Sequence, residues 1–325
     1  MTSEAVSRRV VAGALATLPF AGRVFAQGWS PSRPVQVVVP FAAGSGTDQV
    51  ARLLQKVMEP IWPQRLVIEN RPGANGAPAA AAVARAPADG HTLMVTTNTP
   101  HAANKALMKR LDYDPVSDFT PIIRLGNYVF WLVVGSHFPA RSFAEFAAEV
   151  RRRPGQVTYA SGNSTGIVGG ATIARMLGVE MVHVPYRSTP PAIVDVVGGR
   201  VDAMVVDVAA SRSQVEAGRL VPLGVTSRER SRLLPDLPSL HEQGLEGFDF
   251  VAWAGVVAPA GVPRPIRDAI HAAFARAWDT EAVRAQCAVL GFESFTSTPD
   301  EFGSFIAAEI VKWTTLARAA GIEPE

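Results

Sequence analysis

The sequence is short of features that would place it in several large functional classes. Its 325 residues contain one cysteine, Cys287. An internal disulfide and a thiolate metal cluster are therefore excluded, and Cys287 reads as a small core residue. Charged residues make up only 18% of the chain, and 31 basic side chains nearly balance 29 acidic ones, for a formal charge of +2. Arg8, Arg9 and Arg23 against Glu4 account for that whole excess within residues 1–26. The rest is formally neutral and lacks the basic field of a nucleic-acid binder, so no nucleic-acid partner is expected. No apolar run reaches the ~18 residues of a membrane span. The histidines at 91, 101, 137, 183, 241 and 271 are scattered without ligand spacing, so neither a metal nor a cofactor is expected. What the chain has is apolar substance, 48% hydrophobic residues punctuated by 27 Gly and 25 Pro. That composition excludes disorder and fibres, and the length suggests two domains.

Residues 1–26 read as an export signal. Ser7-Arg8-Arg9 supplies the positive end, Val10 to Phe20 a short apolar stretch, and Val24-Phe25-Ala26 a small-residue cleavage pattern. The paired arginines admit the twin-arginine route beside the Sec route. The expected product is exported, cleaved near Ala26, and periplasmic.

Downstream, strand and helix patterns alternate. Val35 to Val39 lies between Pro34 and Pro40 and suits a buried strand. Helical spacing follows from Val50 to Ile61, then a strand at Leu66 to Ile68, turn chemistry from Asn70 to Gly76, an Ala-rich helix from Pro78 to Ala86 and a strand from Thr92 to Thr96. The alternation restarts with strands at 130–134, 157–160, 181–184 and 203–206, and helices at 143–152, 170–177 and 192–197. An apolar face through Phe302, Phe305, Ile306, Ile310, Trp313 and Leu316 marks a final helix. The expected fold is α/β, with two lobes, each a mixed, mainly parallel sheet flanked by helices.

Two strand–loop–helix units, one per half, carry the chemistry. The first is Gly44-Ser45-Gly46-Thr47-Asp48 after the opening strand. The second is Ser161-Gly162-Asn163-Ser164-Thr165-Gly166 after a later one. Glycine permits close backbone approach, and the first turn of the following helix leaves N–H groups unpaired at a partly positive end. Each loop is a candidate anion cradle; each is equally readable as an ordinary βα turn with Ser and Thr as caps. In open α/β sheets ligands sit at the carboxyl ends of strands, so two cradles suggest a small anion gripped between lobes. Enzyme readings fit less well. Gly44-Ser45-Gly46 with Glu69 imitates a dinucleotide fingerprint, but Gln49 occupies the third small position, and no Gly-Lys-Ser/Thr completes a P-loop. Gly162-Asn163-Ser164-Thr165-Gly166 is a literal G-x-S-x-G. With Asp202 or Asp207 and His241 it would give a serine hydrolase using Ser164, although Pro238 to Glu242 reads as a helix start rather than a catalytic loop.

The residues also resemble a known family. Pro40-Phe41-Ala42-Ala43-Gly44-Ser45-Gly46-Thr47-Asp48 is similar to its Pro-Phe-x-Ala-Gly-Gly-x-x-Asp loop. There follow Glu69 to Ala74 with Gly76, Ala88 to Leu93, Tyr113-Asp114-Pro115 with Asp118-Phe119, Tyr159-Ala160-Ser161, His183 to Arg187 and Gly198 to Asp202. Arg230 to Pro238, Trp253 with Ala258 to Gly261, and Glu309 to Trp313 complete the series. In order and spacing the mature chain resembles the Bug/TctC-type solute receptors of tripartite tricarboxylate transporters. The resemblance implies a type II, Venus-flytrap periplasmic binding protein, not an enzyme, that closes on a small carboxylate through backbone amides and waters and delivers it to a membrane permease. It implies a monomer with lobe 1 formed by residues 27–126 and 248–325 and lobe 2 by 127–247. Carried onto this chain, it assigns the ligand to Phe41, Ala43, Gly44, Ser45, Gly46, Thr47 and Asp48, with Ser161, Gly162, Asn163, Ser164 and Thr165 opposite. Asn98, Thr99, Tyr186, Arg187, Ser188 and Asp207 complete the wall. Ser45 stands where the family often has Gly, and Ala42 where it often has Pro. Arg187 would be the nearest cation, whereas Asp48 and Asp207 would repel a dicarboxylate unless they orient donors.

Overall fold

The computed structural model describes residues 29–325; the expected export signal lies outside them. The first sheet is built from β1 (Val35–Val39), β2 (Leu66–Asn70), β3 (Thr92–Thr97) and β4 (Phe119–Tyr128), and is completed near the chain's end by β10 (Ala252–Pro259) and β11 (Phe292–Ser294). Its order is β11-β4-β10-β3-β1-β2. Between its strands run α1 (Gly46–Met58), α2 (Ala77–Ala84), a π-helical turn (Thr99–Ala103) continuing into α3 (Asn104–Leu107), α8 (Arg264–Trp278) and α9 (Glu281–Val289). The long α10 (Pro299–Ala319) follows β11. The second sheet, in the order β7-β6-β8-β5-β9, comprises β5 (Phe130–Gly135), β6 (Thr158–Ser161), β7 (Val182–Pro185), β8 (Ala203–Asp207) and β9 (Leu220–Val225). It is flanked by α4 (Phe143–Arg152), α5 (Ser164–Leu177), α6 (Thr189–Val197) and α7 (Val208–Glu216).

Both sheets are mixed. The parallel pairings are β1 with β2 and β3, and β6 with β7 and β8, where a helix bridges successive strands as parallel pairing requires. The expectation of mainly parallel sheets needs correction: β10 runs antiparallel to β3 and β4, β11 to β4, and β5 to β8 and β9. The cause is that the chain enters each sheet from the other on a strand, β5 or β10, that runs against its neighbours on both sides, and β11 adds a further reversed strand at the edge.

Two passages link the sheets. At the first, β4 ends at Tyr128, β5 begins at Phe130 and Val129 stands between. Val129 donates its N–H to Gly291 O (2.9 Å) and accepts from Val208 N (2.9 Å). At the second, Thr226 donates its N–H to Phe130 O (3.0 Å) and its hydroxyl to Phe250 O (2.7 Å), while Phe250 N bonds Thr226 O (2.9 Å).

Local chemistry explains most element ends. Ser45 caps α1 through Asp48 N, Ser142 caps α4 through Glu145 N, and Thr298 with Glu301 forms a capping box at α10. The turn after β2 holds four successive left-handed residues, Gly73, Ala74, Asn75 and Gly76 (φ 115, 43, 50 and 74°). Two are the glycines that tolerate this, and Gly76 lies so close to Pro40 that a side chain would overlap it. Several helices start earlier than periodicity indicates. α5 begins at Ser164 rather than residue 170 and α6 at Thr189 rather than 192, because their first turns, Ser-Thr-Gly and Thr-Pro-Pro, carry little hydrophobic signal. Pro238 to Glu242, expected as a helix start, is a turn: Ser239 Oγ accepts from Glu242 N (3.1 Å) and Glu242 returns the bond to Ser239 N (2.8 Å), but Gly244 ends it.

The first lobe's core is centred on aromatics. Trp253, Trp278, Trp313, Phe274 and Phe302 are fully buried. Buried Glu309 accepts from the indoles of Trp253 (2.9 Å) and Trp313 (3.0 Å). Cys287 is buried here as a core side chain, its thiol pushed up to about 11 by burial.

Candidate functional site

Between the sheets lies a small cavity of about 20 Å³, room for only one or two water-sized groups. From the first lobe it is lined by Phe41, Ser45, Gly46, Thr47, Thr97, Asn98, Thr99, Tyr128 and Ala252, and from the second by Phe130, Asn163, Thr165, Thr189 and Asp207. Neither Lys nor Arg lines it.

Its polarity comes from helix starts. α1 enters through Ser45, whose hydroxyl takes Asp48 N (3.3 Å); the N–H groups of Gly46 and Thr47 have no intrahelical partner. α5 enters through Asn163, whose side chain takes Gly166 N (3.0 Å). α6 opens at Ser188 and Thr189, and α7 at Asp207, whose carboxylate takes Ala210 N (2.9 Å). Four helices thus begin around one space, each adding positive potential from its macrodipole. The arrangement suits one compact anion bound by uncharged donors, at no cost of desolvating a cationic side chain.

The lobes also clasp one another. Asn98 Nδ2 donates to Ser164 Oγ and to Thr165 Oγ1, both at 3.1 Å, and Thr99 Oγ1 lies 2.8 Å from Ser164 Oγ. Ala42 N donates to Ser188 Oγ (3.1 Å), and Gln49 Nε2 to Ala209 O (3.0 Å). Asn98 immediately precedes the π-helical turn as its cap, and Thr99 opens that turn. Its His101 is fully buried, with Nδ1 2.6 Å from Thr96 Oγ1 and the ring edge-on to Phe119. Burial alone drives its pKa down to about 3, so it is a neutral strut at any ordinary pH.

The residues singled out from sequence divide accordingly. Phe41, Ser45, Gly46, Thr47, Asn98, Thr99, Asn163, Thr165 and Asp207 meet at the cavity, while Ser164 and Ser188 serve the interlobe clasp. Ala43 and Gly44 are exposed at the rim. Gly162 lies under the backbone of Ser188 and Thr189, where a side chain would not fit. Asp48 turns away, accepting from Gly44 N (2.9 Å), Asn70 Nδ2 (2.9 Å) and Arg52 Nε (2.9 Å). Burial raises its pKa, and those bonds together outweigh the effect and hold it below the usual value. Ser161, Tyr186 and Arg187 line a separate mouth of about 930 Å³, shared with His183 and the C-terminal Glu323 and Glu325. There Ser161 Oγ is 2.7 Å from His183 Nε2, and Tyr186 donates to Asp195 (2.6 Å). Sequence reading missed Thr97, Tyr128, Phe130, Thr189 and Ala252. Thr189 could have been found, since Ser-Thr-Pro-Pro announces a helix start; the others are strand-end residues with no local signature.

The serine-hydrolase reading has no base at its nucleophile. The side-chain partners of Ser164 Oγ are Asn98 and Thr99, and His241 Nδ1 is engaged by Gly247 N (2.9 Å). Residues 50–322 match the profile of the tripartite tricarboxylate transporter family receptor, TctC. The chain belongs to this family of solute receptors. Among solved structures it is similar to R. palustris Rpa4515 with adipate, at 34% identity and TM-score 0.88, covering 91% of this chain and 99% of that one. The periplasmic binding protein BugD gives 30% and 0.86, covering 91% and 100%. MatC from Rhodopseudomonas palustris with bound malate gives 34% and 0.81, covering 88% and 99%. The two-lobed fold of these binding proteins is the fold of this TctC-family chain.

Proposed function

We propose that this TctC-family receptor captures a small organic carboxylate between its lobes, without catalysis, and passes it to a membrane permease. The observation that carries the reading is the convergence of four helix starts on one cavity without a cationic side chain. One carboxylate head fits the donors at α1 and α5, the rest of the ligand being reached by waters and by Thr97, Asn98 and Thr189. Charge-assisted hydrogen bonds are worth ~1.5–3 kcal/mol each, so four or five supply the ~8 kcal/mol of micromolar affinity after ordering costs. A chain of four to six carbons needs the lobes to part before it enters, which makes binding a hinge closure. The adipate and malate in the two Rhodopseudomonas structures support this ligand class. We place the lobe boundaries at 126/127 and 247/248, the working form as a monomer, and the protein in the periplasm after cleavage near Ala26.

A thermal-shift screen of acetate, succinate, malate, glutarate, adipate and aspartate tests the reading. An acid at 100 times its dissociation constant adds ~2.7 kcal/mol, a rise of roughly 5 °C for a chain of this size; no response to any acid after removal of co-purified ligand refutes it. Asn98→Ala removes two bonds between the lobes, each worth ~0.5–1.5 kcal/mol. Titration calorimetry with the tightest acid should show affinity reduced roughly tenfold, with the unliganded unfolding curve unchanged.

A further inference from the structure

Asp207 is the one acidic side chain in the wall of the cavity, and its placement is unusual. It is 4% exposed and caps α7 through Ala210 N (2.9 Å). Its Oδ1 presses on Gly46 at the start of α1, so that a Cβ there would lie 2.9 Å from its Cγ. The groups around it offer no counter-charge. From β4 comes the Tyr128 phenol, 5% exposed, whose hydroxyl has the Thr47 side chain beside it but makes no well-formed hydrogen bond among the described residues. α9 carries the buried thiol of Cys287, which also acts on that phenol. On α1, Asp48 is turned to Gly44, Asn70 and Arg52, which consumes Arg52; α7 carries Arg212 in its next turn.

Resting on the carboxylate-receptor reading, we propose that Asp207 is a specificity-determining residue that enters the closed site as a neutral carboxyl. It donates its proton to the ligand carboxylate, while the Tyr128 hydroxyl donates beside it. The helix starts supply potential for one negative charge. An ionised Asp207 would use it and repel the ligand, whereas a protonated one becomes a donor aimed into the cavity. Burial already moves Asp207 in this direction, up to about 6, and raises Tyr128 as well, so the phenol keeps its proton. Ligand and proton then bind together. The site selects an acid whose buried end is all acceptor, and it disfavours one that presents an ammonium there.

The sign follows from linkage. Below about pH 6 Asp207 is already protonated and affinity is flat. Above it each pH unit demands a proton from solution, and affinity falls about tenfold per unit. Calorimetry of the full chain with the tightest acid of the panel, from pH 5.5 to 8.5 and in two buffers of different ionisation enthalpy, reads both slope and proton uptake. The wild type should take up close to one proton per ligand at pH 8. Asp207→Asn, which keeps the helix cap, should bind with a flat profile and no proton uptake, near the wild-type affinity at pH 6. Tyr128→Phe should weaken binding several-fold at every pH and keep the slope. A flat wild-type profile, an unchanged slope in Asp207→Asn, or aspartate binding that tightens with pH overturns this proposal alone. Failure of every acid to bind at pH 6 overturns the receptor reading and takes this proposal with it.

Discussion

Gly46→Ala is expected to separate folding from binding. Gly46 is the first residue of α1, with ordinary helical backbone, and Ala is the better helix former by as much as ~1 kcal/mol. The unliganded variant should therefore unfold at the same urea concentration as the wild type or a higher one. Across the cleft the added methyl overlaps Asp207 Oδ1 and sits 3.4 Å from Ala209 Cβ. Asp207 cannot yield cheaply, because its carboxylate is buried and held by Ala210 N. Overpacking of this kind costs ~1–3 kcal/mol, all of it charged to the closed arrangement, so affinity for the tightest acid should fall roughly 10- to 100-fold. In an Asp207→Ser background, which keeps a capping hydroxyl and removes the obstructing carboxylate, Gly46→Ala should cost less affinity than it does in the wild type. Unchanged affinity in Gly46→Ala would mean that α1 and α7 do not meet in the liganded protein.

Phe302→Ala should have the opposite profile, a large loss of stability with the cleft chemistry intact. Phe302 is wholly buried, edge-on to Trp253 at 5.6 Å between centroids. Its ring tip rests on Gly255 of β10, where any side chain would overlap it. Residue 255 has no Cβ to extend into the void, and truncation should cost ~3–5 kcal/mol. Urea unfolding followed by tryptophan fluorescence measures the loss directly. Ligand affinity in the surviving folded fraction should stay within about twofold of wild type, since Phe302 is not among the residues that line the cavity.

Much of this architecture was legible from residue order. A valine run bounded by proline marked β1, short apolar runs marked β5, β6 and β8, and the two Gly-Ser-Thr loops fell where the chain leaves a strand for a helix. What escaped has a common physical origin. β10 reads Ala-Trp-Ala-Gly-Val-Val-Ala-Pro and is buried along its whole length between β3 and β4. A strand covered on both faces shows no alternation, and here Ala252, Ala254 and Gly255 also break up the bulky apolar run that identified the equally buried β5 and β8. The π-helical turn at Thr99–Ala103 carries no periodicity at all, and with its cap Asn98 it supplies two of the side chains that clasp the opposite lobe. The candidate site was half visible for the same reason. Helix starts announce themselves by Ser, Thr, Asn and Asp, whereas Tyr128 and Phe130 reach the cavity because two strands meet there. His183 and Ser161, far apart in the chain, become hydrogen-bond partners only because β6 and β7 pair in register.

The first passage between the sheets is a single residue, Val129, set between two members of the cavity wall. Its backbone is tied on one side to Gly291 and on the other to Val208. A rotation about this pivot displaces Tyr128 and Phe130 by little, while the outer loops, at the end of a long lever arm, swing through a wide arc. Subtle misfit at the fulcrum is thereby magnified into a large change of outline at the periphery, where another macromolecule can feel it without ever touching what lies inside.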